Sequence, residues 1–276
     1  MTSGKIAGKF ALELIMIGLG ILFFLPLYLT FVNAFKKYDE VLLSTASLPK
    51  HIRLDNFVTV WNQIQFPTVF LNSLIITVVS VLGILLIGSA AAYQLVRNPG
   101  KLSNTIFLGI LASMVIPFQT MMIPLVSVAK DFHLINSIIG IIVMYVGFGT
   151  PLALFLYHGF VKGIPLELEE AATMDGCTPA GIYFRILLPL LKPITSTIAI
   201  LHTLWIWNDF LLPFIMLSSK AKKTIPLASY IYFGEYTNEW QLGLAALTMA
   251  IIPVLIFFLF MQRFIIQGVM AGAVKG

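Results

Sequence analysis

The sequence predicts an all-α integral membrane protein: six transmembrane helices, with a helix–turn–helix loop between the fourth and fifth. Three observations carry this. Apolar residues make up 59% of the 276 and charged residues only 11%, where a soluble domain has roughly 25% charged. So few charges could not cover the surface of a water-soluble fold, and a disordered chain needs the opposite balance. The charges are also segregated. Stretches 14–35, 66–96, 102–129, 132–161 and 241–262 hold no Asp, Glu, Lys or Arg, and 193–219 holds only Asp209. Each is long enough for the roughly 20 residues that cross a hydrocarbon core. Finally, one polar connection, 158–192, is far longer than a plain connector needs.

The spans are expected near 14–34, 70–93, 106–128, 136–157, 195–217 and 242–261, within a single domain over 1–276. Lys5 and Lys9 precede the first apolar run, but that run is of full membrane length and lacks a small-residue cleavage site, so it reads as a span rather than a signal peptide. Between the first two spans, Asp55 can cap a short helix. Phe57, Val60, Trp61 and Ile64 then share one face. That pattern fits a helix in the membrane interface, with Trp61 at headgroup depth. Pro117, Pro124, Pro151 and Pro253 lie within or near spans, and their kinks suit a gate or static packing equally.

An even number of spans puts both termini on one side. Counting Lys and Arg does not say which, because 9 of the 17 fall on the side of the termini and 8 on the other. The net charge of +5 belongs to these loops, and no basic face for nucleic acid is visible. With Cys177 the only cysteine, no disulfide can form within the chain.

The 158–192 loop reads as two short helices. Pro165 suits a first helical position, and Glu167, Glu169 and Glu170 favour the positive end of the helix dipole. Asp175-Gly176 ends this helix, since glycine accepts the left-handed conformation. Thr178-Pro179 restarts the chain as N-cap and N1. Pro189 stops the second helix or marks entry to the next span, and Pro193 follows. From these residues alone, an amphipathic hairpin on the membrane and an ordered functional loop stand level.

The segment Glu170-Ala-Ala-Thr-Met-Asp-Gly176, followed by Phe184, Ile186, Leu188, Pro189 and Pro193, resembles the EAA motif of bacterial ABC importer permeases, with the spacing of the carbohydrate-uptake group. The likeness extends over most of the chain. It includes Asn72-Ser73 and Ala90 to Tyr93 before Arg97, Ile116-Pro117 and Ile123-Pro124, Ile164 to Ala172, Trp207 to Phe210, and Gly272 to Gly276. In this order they resemble the MalG-type permease subunit of carbohydrate ABC importers. Cys177 and Asp209 depart slightly from the group, which commonly has a small residue and a Glu there.

The resemblance implies a loop facing the cytoplasm, hence both termini cytoplasmic, in a bacterial cytoplasmic membrane. It implies a coupling surface made by Glu170, Ala171, Ala172, Asp175, Gly176, Phe184, Ile186 and Pro189. It implies partners too: a second, MalF-type permease, a homodimer of ATP-binding subunits, an extracytoplasmic solute-binding protein, membrane lipid and a sugar substrate. Glu170 would accept charge-assisted bonds from the ATP-binding subunit or cap its own loop. The C-terminal tail would reach toward that subunit.

No G-x-x-x-x-G-K-[ST] loop occurs, so no cofactor is expected on this chain, and ATP with its Mg belongs to the partner. Asp209 is the one acid deep in a span, which makes it a functional candidate. With Asn72, Gln119 and Asn208 it either lines a solute path or bonds to a neighbouring helix. No metal set is visible. A membrane enzyme is disfavoured by the absence of H-E-x-x-H and G-x-S-x-G. A stand-alone channel or secondary transporter is the alternative, one that would work without ATP.

Overall fold

The computed structural model describes residues 3–234 and 239–273, with side chains for 8–234 and 239–262. The end of the C-terminal tail, 274–276, therefore lies outside the described residues. Every regular element among those described is helical: a π-helix (Tyr183–Leu187), two 3₁₀ helices (Lys220–Lys222 and Tyr230–Phe233) and the α-helices. In chain order they are α1 (Ser3–Ala34), α2 (Tyr38–Leu43), α3 (Asp55–Gln63), α4 (Phe66–Arg97), α5 (Lys101–Ser113), α6 (Phe118–Asp131), α7 (Ile138–Val161), α8 (Glu167–Met174), α9 (Pro179–Ile182), α10 (Leu188–Leu190), α11 (Lys192–Asn208), α12 (Leu211–Met216), α13 (Ile225–Ser229) and α14 (Trp240–Ala273).

Among the described residues, α1, α4, α7 and α14 are each long and apolar enough to cross a membrane. Two bent pairs bring the number to six if each pair is one span: α5 with α6 at 104°, and the helical run Pro179–Leu190 with α11 at 74°. The chain forms two compact units, 1–67 with 228–253 and 68–227 with 254–276.

In the first unit, the end of α1 is tied down by a buried lysine. Lys36 Nζ donates to Asn33 Oδ1 at 3.0 Å, Ser44 O at 2.7 Å and Thr45 O at 3.3 Å. Three acceptors match its three N–H donors, and a cation just past a helix C-terminus is favourably placed. Burial still lowers its pKa below the ordinary lysine value, against the opposing pull of Glu40.

Two expectations for α3 are corrected. Asp55 is its first residue and pairs with Arg53 at 2.9 Å instead of capping. The apolar stripe also turns inward rather than to lipid: Val60 and Ile64 are buried and Phe57 packs on Phe35. Asn56 completes the inward face by donating to the carbonyls of Ala34 and Lys36. Trp61 stays half-exposed and stacks on Phe66.

In the second unit, α4 and α7 approach closely. A Cβ at Gly83 would lie 2.8 Å from Val146, and one at Gly88 would lie 2.9 Å from Ala153. Small residues let membrane helices pack backbone to backbone in this way. Ile84, Tyr145, Leu154, Tyr157 and Ile198 fill the core beside this contact with no exposure.

The stretches expected as the third and fifth spans are not continuous helices. Pro117 has no N–H to donate and disfavours a helical Ile116. The chain turns through 3₁₀-type bonds at 114–116, and Pro117 is extended. In the fifth, Asp209 is extended (φ −71°, ψ 134°), so α11 ends at Asn208 and α12 starts afresh. Pro213 could not have bonded back to Asp209 in a continuous helix.

Candidate coupling site and solute cavity

The loop between α7 and α11 forms the hairpin that its punctuation predicts, with small shifts. The first helix begins at Glu167, so Pro165 lies two residues before it rather than at its first position. Its end is a Schellman turn: Gly176 N donates to Thr173 O at 3.0 Å and Cys177 N to Ala172 O at 2.9 Å, with Gly176 at φ +80°. Thr178 caps the next helix by accepting from Gly181 N. Residues Tyr183–Leu187 then widen into a π-helix, where Leu188 N reaches back to Tyr183 O. Pro189, unable to bond to Arg185 O, follows directly, and proline and π-bulges are the usual sources of helix kinks.

What fixes this hairpin to the membrane helices is Glu169. Its Oε1 accepts from Arg97 Nε at 2.7 Å and pairs with Arg97 Nη2 at 2.7 Å, while its Oε2 accepts from Tyr93 Oη at 2.9 Å. Arg97 Nη2 also donates to Ile164 O at 3.0 Å. A second tie joins Ser89 Oγ and Tyr183 Oη at 2.7 Å. The Glu169 side chain is 9% exposed and that of Arg97 16%. Both carboxylate oxygens are satisfied, as a buried charge requires.

Glu170, the next residue, points away. It is exposed and, among the described residues, its carboxylate has no hydrogen bond or ion pair. Local capping, one of its two expected roles, is therefore absent. Around it the hairpin exposes Leu166, Leu168, Met174 and Phe184. Ala171, Asp175 and Pro189 are also exposed, Ile186 is half-buried, and Ala172 is buried. Sequence reasoning singled out Glu170 and missed Glu169, because its partner Arg97 lies 72 residues earlier. The one signal available was that span two ends in an aromatic and a cation, Tyr93 and Arg97.

The polar candidates within the spans divide. Gln119 and Asp209 line one cavity of about 870 Å³, set among the α5–α6 break, α7, α11 and α12, with Phe118, Trp205 and His202 in its wall. His202 is itself buried, its ring nitrogens 2.9 Å from Ile198 O and 3.0 Å from Gly149 O. Asn208 and Asn72 do not line the cavity. Asn208 bonds back to Leu204 O, and Asn72 Nδ2 donates to the carbonyls of Ala221 and Lys223 at 2.8 and 3.0 Å.

Asp209 has structural work as well. It accepts from Tyr145 Oη at 2.9 Å, Leu211 N at 3.1 Å and Leu212 N at 3.4 Å, which caps α12. Asp209→Asn is expected to keep the cap, since Asn serves well there, and to lose part of a hydrogen bond to a charged group worth about 1.5–3 kcal/mol. Tyr145→Phe removes the same bond from the other side. If both variants alter solute affinity equally, or neither does, Asp209 acts through structure. A change with Asp209→Asn alone, measured by transport kinetics, puts its carboxylate on the solute path.

A family profile, described as binding-protein-dependent transport system inner membrane component, matches residues 83–270. The chain belongs to this family. The match covers the last 15 residues of α4, the hairpin and the cavity wall. The probable starch degradation products transport system permease protein AmyC of Thermoanaerobacterium thermosulfurigenes is 44% identical, over 97% of each chain. The melibiose/raffinose/stachyose import permease protein MelC of Bacillus subtilis is 37% identical over 92% of each. The fold is shared with a solved bacterial ABC transporter that imports the polysaccharide alginate, at TM-score 0.80 and 24% identity, over 95% of this chain and 98% of that one. Membership makes the protein a multi-pass membrane permease of the binding-protein-dependent kind.

Proposed function

We propose that this chain is one of two permease subunits of an ATP-driven importer for sugars or oligosaccharides. The observation that carries the reading is the hairpin: anchored inward through Glu169, it presents an exposed Glu170, without a side-chain partner among the described residues, and a rim of exposed apolar side chains. A surface of that kind suits a protein partner. The partner is an ATP-binding subunit, present as a homodimer, which holds ATP and Mg; this chain carries no phosphate-binding loop and supplies no catalytic group. Glu170, Ala171, Asp175, Phe184 and Pro189 meet its groove. Gly176 sets the turn, and Ala172 and Ile186 pack behind it.

A second, MalF-type permease completes the pathway, to which the cavity at Gln119 and Asp209 contributes this chain's side. An extracytoplasmic binding protein delivers the solute, and nucleotide and loaded binding protein together bias a two-state switch. The hairpin faces the cytoplasm, which puts both termini there, and the membrane is the bacterial cytoplasmic membrane. The relatives' printed substrates, starch degradation products and melibiose, raffinose and stachyose, support a carbohydrate.

Tagging the chain in its host, solubilising gently and weighing the purified assembly tests this. The expected result is a second permease with two ATP-binding subunits, and a co-purifying binding protein that sugars stabilise. A homo-oligomer without an ATPase would return the chain to the stand-alone channel or secondary-transporter class.

A further inference from the structure

Helix α4 makes polar ties at both of its ends. At Arg97 it holds the hairpin through Glu169 and Ile164 O, with Tyr93 and Ser89 adding bonds one and two turns back. At the opposite end Asn72 holds the carbonyls of Ala221 and Lys223, and Ser73 Oγ accepts from Ile225 N at 2.9 Å. The 219–225 loop is in turn gripped by Asn136, whose Oδ1 accepts from Ser219 N at 3.1 Å and whose carbonyl accepts from Lys222 Nζ at 2.6 Å. Between these ends the helix is unbroken. Asn72 to Arg97 spans about 37 Å at 1.5 Å per residue, roughly the thickness of a bilayer. At Gly83 and Gly88 it packs closely on α7.

We propose that Glu169 and Arg97 are positioning residues that make the hairpin, α4 and the 219–225 loop one mechanical body, so that a displacement imposed on the hairpin reaches the opposite face of the membrane through α4. This rests on the reading above, that an ATP-binding subunit moves the hairpin. An ion pair whose buried carboxylate has both oxygens bonded suits a lever arm, because Glu169 cannot leave Arg97 without being stranded. Glu169 and Glu170 then divide the labour: one grips α4 and the other faces the partner.

The test uses the assembled transporter in lipid nanodiscs. Cys177→Ala removes the native thiol, and Lys220→Cys places a reporter on the exposed turn of the far loop. Maleimide labelling is timed with and without a non-hydrolysable ATP analogue and Mg. In this background nucleotide is expected to change the labelling rate at least fivefold. With Glu169→Gln added, the change is expected to fall below twofold and solute moved per ATP to fall at least tenfold, while the ATP-binding subunits still co-purify.

A Glu169→Gln complex that assembles and keeps the nucleotide response overturns the proposal, as does a background complex with no response. If Glu169→Gln fails to assemble, Tyr93→Phe decides. It leaves the charges paired and removes one bond to the carboxylate; at least half of the response is expected to vanish, and an undiminished one overturns the proposal. Failure of the background chain to bring down any ATP-binding subunit instead defeats the functional reading, so the two failures are distinguishable.

Discussion

Replacing Arg97 by methionine is expected to destabilise the second unit by about 3–5 kcal/mol, the usual cost of removing one partner from a buried ion pair. The cause is the group left behind. Glu169 is buried, and without Arg97 its carboxylate keeps only the Tyr93 hydroxyl. Ile164 O would lose its guanidinium donor as well. The double change Arg97→Met with Glu169→Met is expected to recover most of the loss, because apolar residues of similar volume often replace a buried pair at no net cost. Glu170→Gln, one residue away, is expected to leave stability unchanged. Thermal midpoints of the purified transporter, with limited proteolysis at the exposed Arg185 as a local readout, check all three. Equal losses in the single and double methionine variants would mean that the site is held by packing and not by charge. The recovered double variant is still expected to transport poorly, since restored stability does not restore a directional tie between hairpin and helix.

How much of this was legible depended on distance along the chain. The spans could be read because hydrocarbon excludes charge, and exclusion leaves a mark on every residue of a segment. The turn at Gly176 and the cap at Thr178 could be read because each is settled within five residues. Boundaries were less secure. Pro165 looked like a first helical residue, yet the helix begins two residues later, where three acids enter its first turn. The breaks at Pro117 and Asp209 sit inside stretches that composition alone treats as continuous. For Asp209 two roles stay open from residues alone, solute path or structural bond; the structure shows its capping bonds and also its place on the cavity wall, which only a folded backbone can combine. Glu169 is the hardest case. Two adjacent glutamates are equivalent in a string. They differ by the 100° rotation between successive helical residues, and only the position of Arg97 decides which one turns inward. The apolar stripe of α3 illustrates the same limit, since a face that could meet lipid or protein carries the same residues either way.

Gly176→Val is expected to uncouple the transporter while leaving the spans inserted. The residue sits at φ +80°, a region in which a β-branched side chain is a clear outlier. Holding a non-glycine residue in such a conformation costs about 1–3 kcal/mol. A Cβ there would meet nothing within 4 Å, so the penalty comes from backbone strain and not from a clash. Relief requires the Schellman bonds from Gly176 N and Cys177 N to break, which lets the helix Glu167–Met174 swing against the one after Thr178. Glu169 would hold its end of the hairpin in place while the turn beyond it changed shape. Glu170 and Phe184, which lie on opposite arms of that turn, would then no longer share one geometry. Substrate-stimulated ATP hydrolysis and uptake are both expected to fall at least tenfold, with membrane insertion unchanged. Gly176→Asn separates strain from mere substitution, because asparagine tolerates the left-handed region at helix ends; it is expected to keep most of the activity. Normal uptake in Gly176→Val would show that the turn has no part in coupling. Equal loss in the valine and asparagine variants would place the defect in a contact made by the turn's surface, where any side chain intrudes on the partner.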